Sequence, residues 1–308
     1  MPDSTPVILY HDPADFDQLD GMTWDGRVKG RVGPGFARGG VPNGQGTLFW
    51  TSSDIRDRTD RAVAPLDTTN ASVHWADDGR HLCGLARTAP RDVASQGVLR
   101  VAVPGGAWKD EAHIGSFSPA GLNAGGPFVA ACGIDGDRAV VVQTGGQGLD
   151  TAEYWVVQLS TGRILWHRTP PSPTQLTVSR DGSLIVENHP DGRASSVYGV
   201  DGAVVATLHA WVSAFSWDGT LAVTSPTWTG GQVTVTRWRD GSVIWSGPQG
   251  SEHGYAYGVT GPGTSLAVGI RDPAFPQKFG FPPADLFVVG PDGTVTFQQK
   301  NIVLFPTL

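Results

Sequence analysis

Two interleaved series of tight turns constrain this chain more than any other feature. One series follows a strand-like run and precedes an apolar one: Asn43-Gly44, Asp78-Gly79, Asp135-Gly136, Asp181-Gly182, Asp218-Gly219 and Pro262-Gly263. The other lies further along each unit: Asp25-Gly26, Thr59-Asp60, Gly105-Gly106, Thr161-Gly162, Asp201-Gly202, Asp240-Gly241 and Asp292-Gly293. Asp-Gly between strands signals a hairpin, because Gly accepts the positive φ that such turns require. Six turns of the first kind and seven of the second predict seven four-stranded units, one of them split by the chain ends.

The clearest unit runs through strands at 175–179 and 183–187, then at 194–200 and 203–209. The next repeats it at 212–216, 220–224, 232–238 and 242–245. The second strand of each unit is apolar at consecutive positions, as in Ala139-Val140-Val141-Val142, Leu184-Ile185-Val186 and Leu221-Ala222-Val223. A strand with one wet face would alternate, so these strands are covered on both faces. Small sheets stacked face to face make a β-propeller; a β-sandwich would show alternating strands and no fixed four-strand unit. Units are expected near 33–70, 71–120, 121–171, 172–209, 210–249 and 250–300. The seventh would be assembled from both ends: 301–305 as its innermost strand, then 7–10, 21–24 and 27–32. Residues 1–308 thus read as a single all-β domain, a seven-bladed propeller closed by pairing of its terminal strands, with six blades and irregular ends as the alternative.

On these turns the chain resembles the bacterial WD-repeat-like propellers, including the YVTN-type repeats. The Gly-His and terminal Trp-Asp signature of true WD repeats is missing; Trp24-Asp25 and Trp217-Asp218 lie inside turns. The resemblance implies fold and a bacterial context, and it implies no single activity, since similar propellers include scaffolds, lactonases and lyases.

Composition excludes several partners. A net charge of −7, with no basic stripe, argues against nucleic acid. No apolar run is long enough to span a bilayer, so no membrane insertion by this chain is expected. The polar start reads as lacking a signal peptide.

Successive antiparallel strands put both turn series at one end of the sheets and all insertions at the other: 88–96, 116–127, 144–151 and 271–284. Loops on a rigid scaffold carry function, which makes the looped face the expected binding surface. Residues 271–284 hold Phe275, Phe279 and Phe281 with Arg271 and Lys278, stiffened by Pro273, Pro276, Pro282 and Pro283; Trp228 extends this patch. Aromatics beside cations are the material of interaction hot spots. At the looped ends of the strands Asp54, Arg87, Gln143, Asn188, Arg271 and His11-Asp12 could hold a small polar ligand, or a metal through Asp54, Asn188 and His11, where the plainer reading is that they solvate a water-filled channel. The eight His show no HExxH or other close metal spacing, and neither a Gly-X-Ser-X-Gly elbow nor a phosphate loop occurs. No catalytic residue, metal or cofactor is therefore assigned.

Cys83 and Cys132 lie at similar heights in adjacent units. They read either as a disulfide clamping two blades or as two buried thiols. The bond favours an extracytoplasmic setting, with anchor or signal outside this chain. The expected function is a non-catalytic binding or scaffold module engaging a protein or small polar ligand on its looped face. The alternative is a small-molecule lyase or lactonase-like hydrolase with a site at the channel mouth.

Overall fold

The computed structural model describes residues 8–34, 41–43, 46–51, 53–67, 70–88, 95–117, 127–145, 151–228, 231–248, 259–260, 265–271 and 283–304. Among the described residues the fold is all-β, of the β-propeller type, with six antiparallel sheets. The chain divides into two compact units, residues 1–63 with 208–308, and residues 64–207.

In the first unit, β1 (Ile8–Asp12), β2 (Asp15–Met22) and β3 (Lys29–Pro34) open the chain. A second sheet follows as β4 (Val41–Pro42), β5 (Leu48–Trp50), β6 (Asp54–Asp57) and β7 (Ala62–Pro65). The second unit holds three sheets in succession. They are β8 (Asn70–Trp75), β9 (Leu82–Arg87), β10 (Ser95–Ala102) and β11 (Lys109–Phe117); β12 (Phe128–Gly133), β13 (Arg138–Thr144), β14 (Thr151–Gln158) and β15 (Ile164–Arg168); and β16 (Gln175–Val178), β17 (Ile185–Asn188), β18 (Ser195–Tyr198) and β19 (Val204–Leu208). The first unit resumes with β20 (Trp211–Phe215), β21 (Ala222–Ser225), β22 (Thr234–Arg237) and β23 (Ser242–Ser246). It ends with β24 (Val259–Thr260), β25 (Leu266–Arg271), β26 (Ala284–Val289) and β27 (Val295–Leu304).

The count of seven blades is corrected to six. The expected pairing of head and tail is present, with Tyr10 opposite Leu304 and His11 opposite Val303. It does not make a separate sheet. Strand β27 is ten residues long; it pairs with β26 from Val295 to Ile302 and with β1 at Val303 and Leu304. Asn301, just before the change of partner, takes a left-handed φ of 53°. The last unit and the expected seventh therefore merge into one sheet of order β24-β25-β26-β27-β1-β2-β3.

The apolar runs form as expected from burial on both faces. In the second unit Val141 packs toward Cys83, Leu85 and Leu99, while Val140 and Val142 pack toward Ile185 and Tyr198. Neighbouring residues of β13 thus face opposite sheets, which removes any wet side. Each such valine contributes about 1.5–3 kcal/mol by burial. The outer strands β15, β19 and β23 are mostly exposed or half-buried, while β17 and β21 are buried throughout.

The turns share one device. Gly79 N–H donates to the Ala76 carbonyl (3.0 Å), and the Asp78 carboxylate accepts from the backbone of Arg80 and His81 (2.9 and 3.0 Å). The same pattern recurs at Ser179/Asp181/Gly182 and Ser216/Asp218/Gly219. The fourth residue of each turn takes the left-handed conformation. This moves two expected positions: the left-handed residue is Gly46 after Asn43, and Asp137 after Ile134. Asp tolerates that conformation better than most side chains. Gly44 and the Pro262-Gly263 turn lie outside the described residues.

Candidate functional site

Each sheet has a turn end, closed by these hairpins, and an opposite looped end. The turn ends satisfy their own polar groups. Besides Asp78, the carboxylates of Asp25, Asp201, Asp240 and Asp292 each accept from the backbone N–H two residues on, at 2.8–3.1 Å. In the second unit a further tie closes this end. Arg180, in the turn after β16, donates from Nε and Nη2 to the Asp77 carbonyl (3.2 and 3.0 Å) and from Nη2 to the Ala76 carbonyl (3.4 Å). It thereby joins the turn after β16 to the turn after β8, past the intervening sheet. Burial holds the Arg180 guanidinium down to about 10, still charged at neutral pH. The Asp77 side chain accepts from Ile134 N–H (2.8 Å), and burial raises its carboxyl above the usual range.

The looped ends carry polar side chains, of which Arg87 and Gln143 are half-buried and Asn188 is fully buried. Arg87 and Asn188 end β9 and β17, and Gln143 is the last but one residue of β13. Asn188 is held in place by donating to Thr177 (3.0 Å) and accepting from Ser195 (3.1 Å). Gln143 donates to the Thr144 carbonyl (3.2 Å). Asp54 opens β6 and is committed within its own sheet, accepting from Arg56 Nε and Nη2 (2.9 and 2.7 Å) and from Thr51. His11 is buried and donates from Nδ1 to the Gln18 carbonyl (2.7 Å); burial pushes its pKa down. Asp12 caps the Ala14 N–H (2.8 Å).

Trp228 lies on the connection between β21 and β22 and is 53% exposed. Trp217, in the turn at the other end of the same sheet, is 37% exposed. Phe275, Lys278, Phe279 and Phe281 lie outside the described residues, as does the side chain of Arg271, whose backbone closes β25.

Sequence reasoning passed over His189, one residue beyond Asn188. The Thr174 hydroxyl donates to the Pro171 carbonyl, so it can only accept from His189 Nδ1 (3.1 Å). That fixes the tautomer with the lone pair on Nε2, which makes no hydrogen bond among the described residues. The imidazole is oriented by a turn from outside its own strand, with no local spacing motif to announce it. Among the described residues no three His, Cys, Asp or Glu side chains gather to hold a metal ion.

Also unanticipated is a polar cluster between the sheets of β15 and β17. Glu187 is 1% exposed and accepts from the Tyr154 hydroxyl (2.8 Å), Arg168 Nε and Nη2 (2.6 and 3.2 Å) and the Tyr198 hydroxyl (3.2 Å). Arg168 also lies over the Tyr198 ring at 4.7 Å. Nearby in the same unit, Cys83 and Cys132 face each other from β9 and β12 with Cα atoms 6.3 Å apart, within disulfide range.

No family model matches the chain, and no curated protein matches it. Solved structures to which it is similar include an oligogalacturonate lyase in complex with manganese, at 12% identity over 73% of this chain and 69% of that one, TM-score 0.48. The C-terminal WD40 domain of Sif2 aligns at 12% identity over 92% and 84%, TM-score 0.48. Kluyveromyces lactis Hsv2 aligns at 13% identity over 97% and 98%, TM-score 0.43.

Proposed function

We propose that residues 1–308 form a single, non-catalytic binding propeller whose looped ends engage a protein partner or a small polar ligand. The observation that carries this reading is the difference between the two ends of the sheets. At the turn ends, side chains and backbone bond to one another and leave few groups to offer. At the looped ends an indole is exposed at Trp228, and the half-buried Arg87 and Gln143 stand at or next to the ends of β9 and β13. Aromatic and Arg side chains are those that most often dominate interfaces. Phe275, Phe279, Phe281, Lys278 and Arg271 are assigned to the same surface by their place in the sequence between β25 and β26.

The test is a comparison of partner capture by the unmodified protein and by a Phe279→Ala/Trp228→Ala variant. Loss of capture with an unchanged circular dichroism spectrum and melting temperature supports the reading. Undiminished capture by a folded variant removes it.

A further inference from the structure

In the second unit two tyrosine hydroxyls donate to one buried carboxylate, and a single indole touches both rings. Tyr154, on β14, and Tyr198, on β18, bond Glu187 at 2.8 and 3.2 Å. Trp166, on the outer strand β15, meets the Tyr154 ring edge to face, with centroids 5.3 Å apart. It is tilted against the Tyr198 ring at 5.9 Å. Trp166 is half-buried and so within reach of solvent, whereas Tyr154 is fully buried. We propose that Trp166, Tyr154 and Glu187 form a relay that carries an oxidising equivalent from the surface to a buried phenol.

The oxidant is a one-electron acceptor from solution, of the class of the azide or carbonate radical. It takes one electron from the Trp166 indole and is reduced to its anion. The indole N–H donates to the Val200 carbonyl at 2.9 Å. A neutral carbonyl is too weak a base to remove that proton, so the indole remains a radical cation and keeps its oxidising power. It then takes one electron from the Tyr154 ring. The phenolic O–H bond breaks as that electron leaves, and the proton passes along the 2.8 Å hydrogen bond to Oε1 of Glu187. Trp166 is restored, Tyr154 becomes a neutral phenoxyl radical and Glu187 a neutral carboxylic acid.

The surroundings favour Tyr154 over Tyr198 as the end of the path. A buried phenol that loses an electron must also lose its proton, because an unpaired cation in an apolar site is costly. Tyr154 has both the shorter bond to Glu187 and the closer approach to Trp166. The Arg168 guanidinium lies over the Tyr198 ring at 4.7 Å, and a cation there opposes removal of an electron from that ring. Arg168 tolerates the neutralisation of Glu187, since 39% of its side chain is exposed to water. Val140, Val142, Val156 and Ile185 pack around the cluster and bring no competing side-chain base.

The test is pulse radiolysis of the full chain with azide radicals, which oxidise tryptophan first, read by the optical absorption of the indolyl and phenoxyl radicals. Phenoxyl signal should grow as indolyl signal decays, at a rate independent of protein concentration. Tyr154→Phe and Trp166→Phe, each with an unchanged circular dichroism spectrum, should lose most of that growth, and Tyr198→Phe should keep it. Glu187→Gln has no carboxylate to take the proton and should slow the transfer about a hundredfold, the lower end of what a positioned base contributes. Undiminished growth in folded Tyr154→Phe or Trp166→Phe, its loss in Tyr198→Phe instead, or an unchanged rate in Glu187→Gln overturns the relay. If Tyr154→Phe or Glu187→Gln does not fold, the unmodified protein decides: transfer should be slower in D2O than in water, and equal rates refute a coupled proton.

Discussion

Replacing Arg168 by Ala would leave the Glu187 carboxylate in its buried place with two of its four donated hydrogen bonds. The carboxylate is 1% exposed, so water cannot take over the lost pair without opening the contact between β15 and β17. Stranding one member of a buried pair costs about 3–5 kcal/mol. Loss of the guanidinium from the Tyr198 ring adds about 0.5–1 kcal/mol. The reverse change is milder. The Arg168 side chain is 39% exposed and can rehydrate when Glu187 becomes Gln, while a Gln oxygen still accepts from Tyr154; the cost there is about 1–2 kcal/mol. Urea denaturation monitored by circular dichroism should therefore rank Arg168→Ala well below Glu187→Gln. The double variant should be more stable than Arg168→Ala alone, because the second change removes the stranded charge. Equal single costs, or a double variant that is merely additive, would refute this account of the cluster.

Other outcomes are equally checkable. Burial first, and then the charge of Arg180, hold the His74 pKa at about 4, against 6.5 when exposed. The folded state thus binds fewer protons than the unfolded one in that window: stability is full above about pH 6.5 and falls toward pH 4, by up to roughly 3 kcal/mol. Chemical denaturation across that range should show the loss, and His74→Gln should flatten it. Gly162 and Gly241 both have positive φ, but a methyl at Gly162 would run into the Glu111 carbonyl whereas Gly241 faces open space. Gly162→Ala should cost several-fold more in thermal melts than Gly241→Ala, which should cost about 1 kcal/mol. Thiol titration in denaturant without reductant should find no free thiol if Cys83 and Cys132 are bonded. Breaking a bond across 49 residues by Cys132→Ser should lower stability by about 4 kcal/mol.

The strands and turns were legible because their causes are local. The run Ala139-Val140-Val141-Val142 states in itself that both faces are covered, and Asp-Gly states a turn. The blade count was not legible. Residues 295–304 contain no Gly or Pro to mark an end, so nothing local says that one strand serves two neighbours. The polar contacts were hidden for a related reason: Arg180 meets Asp77 across 103 residues, and Tyr154 meets Glu187 across 33. One signal was available. Glu187 follows Leu184-Ile185-Val186 in a strand read as buried, and a carboxylate there demands a cationic or hydroxyl partner from a neighbouring sheet.

The two exposed indoles of the β20–β23 sheet test the central claim most directly, because they stand at opposite ends of the same sheet. Hydroxyl-radical oxidation should be measured at Trp228 and Trp217, with and without the captured partner. Binding at the looped end predicts protection of Trp228 and unchanged oxidation of Trp217. Protection of Trp217 with Trp228 left as reactive as before would contradict the account.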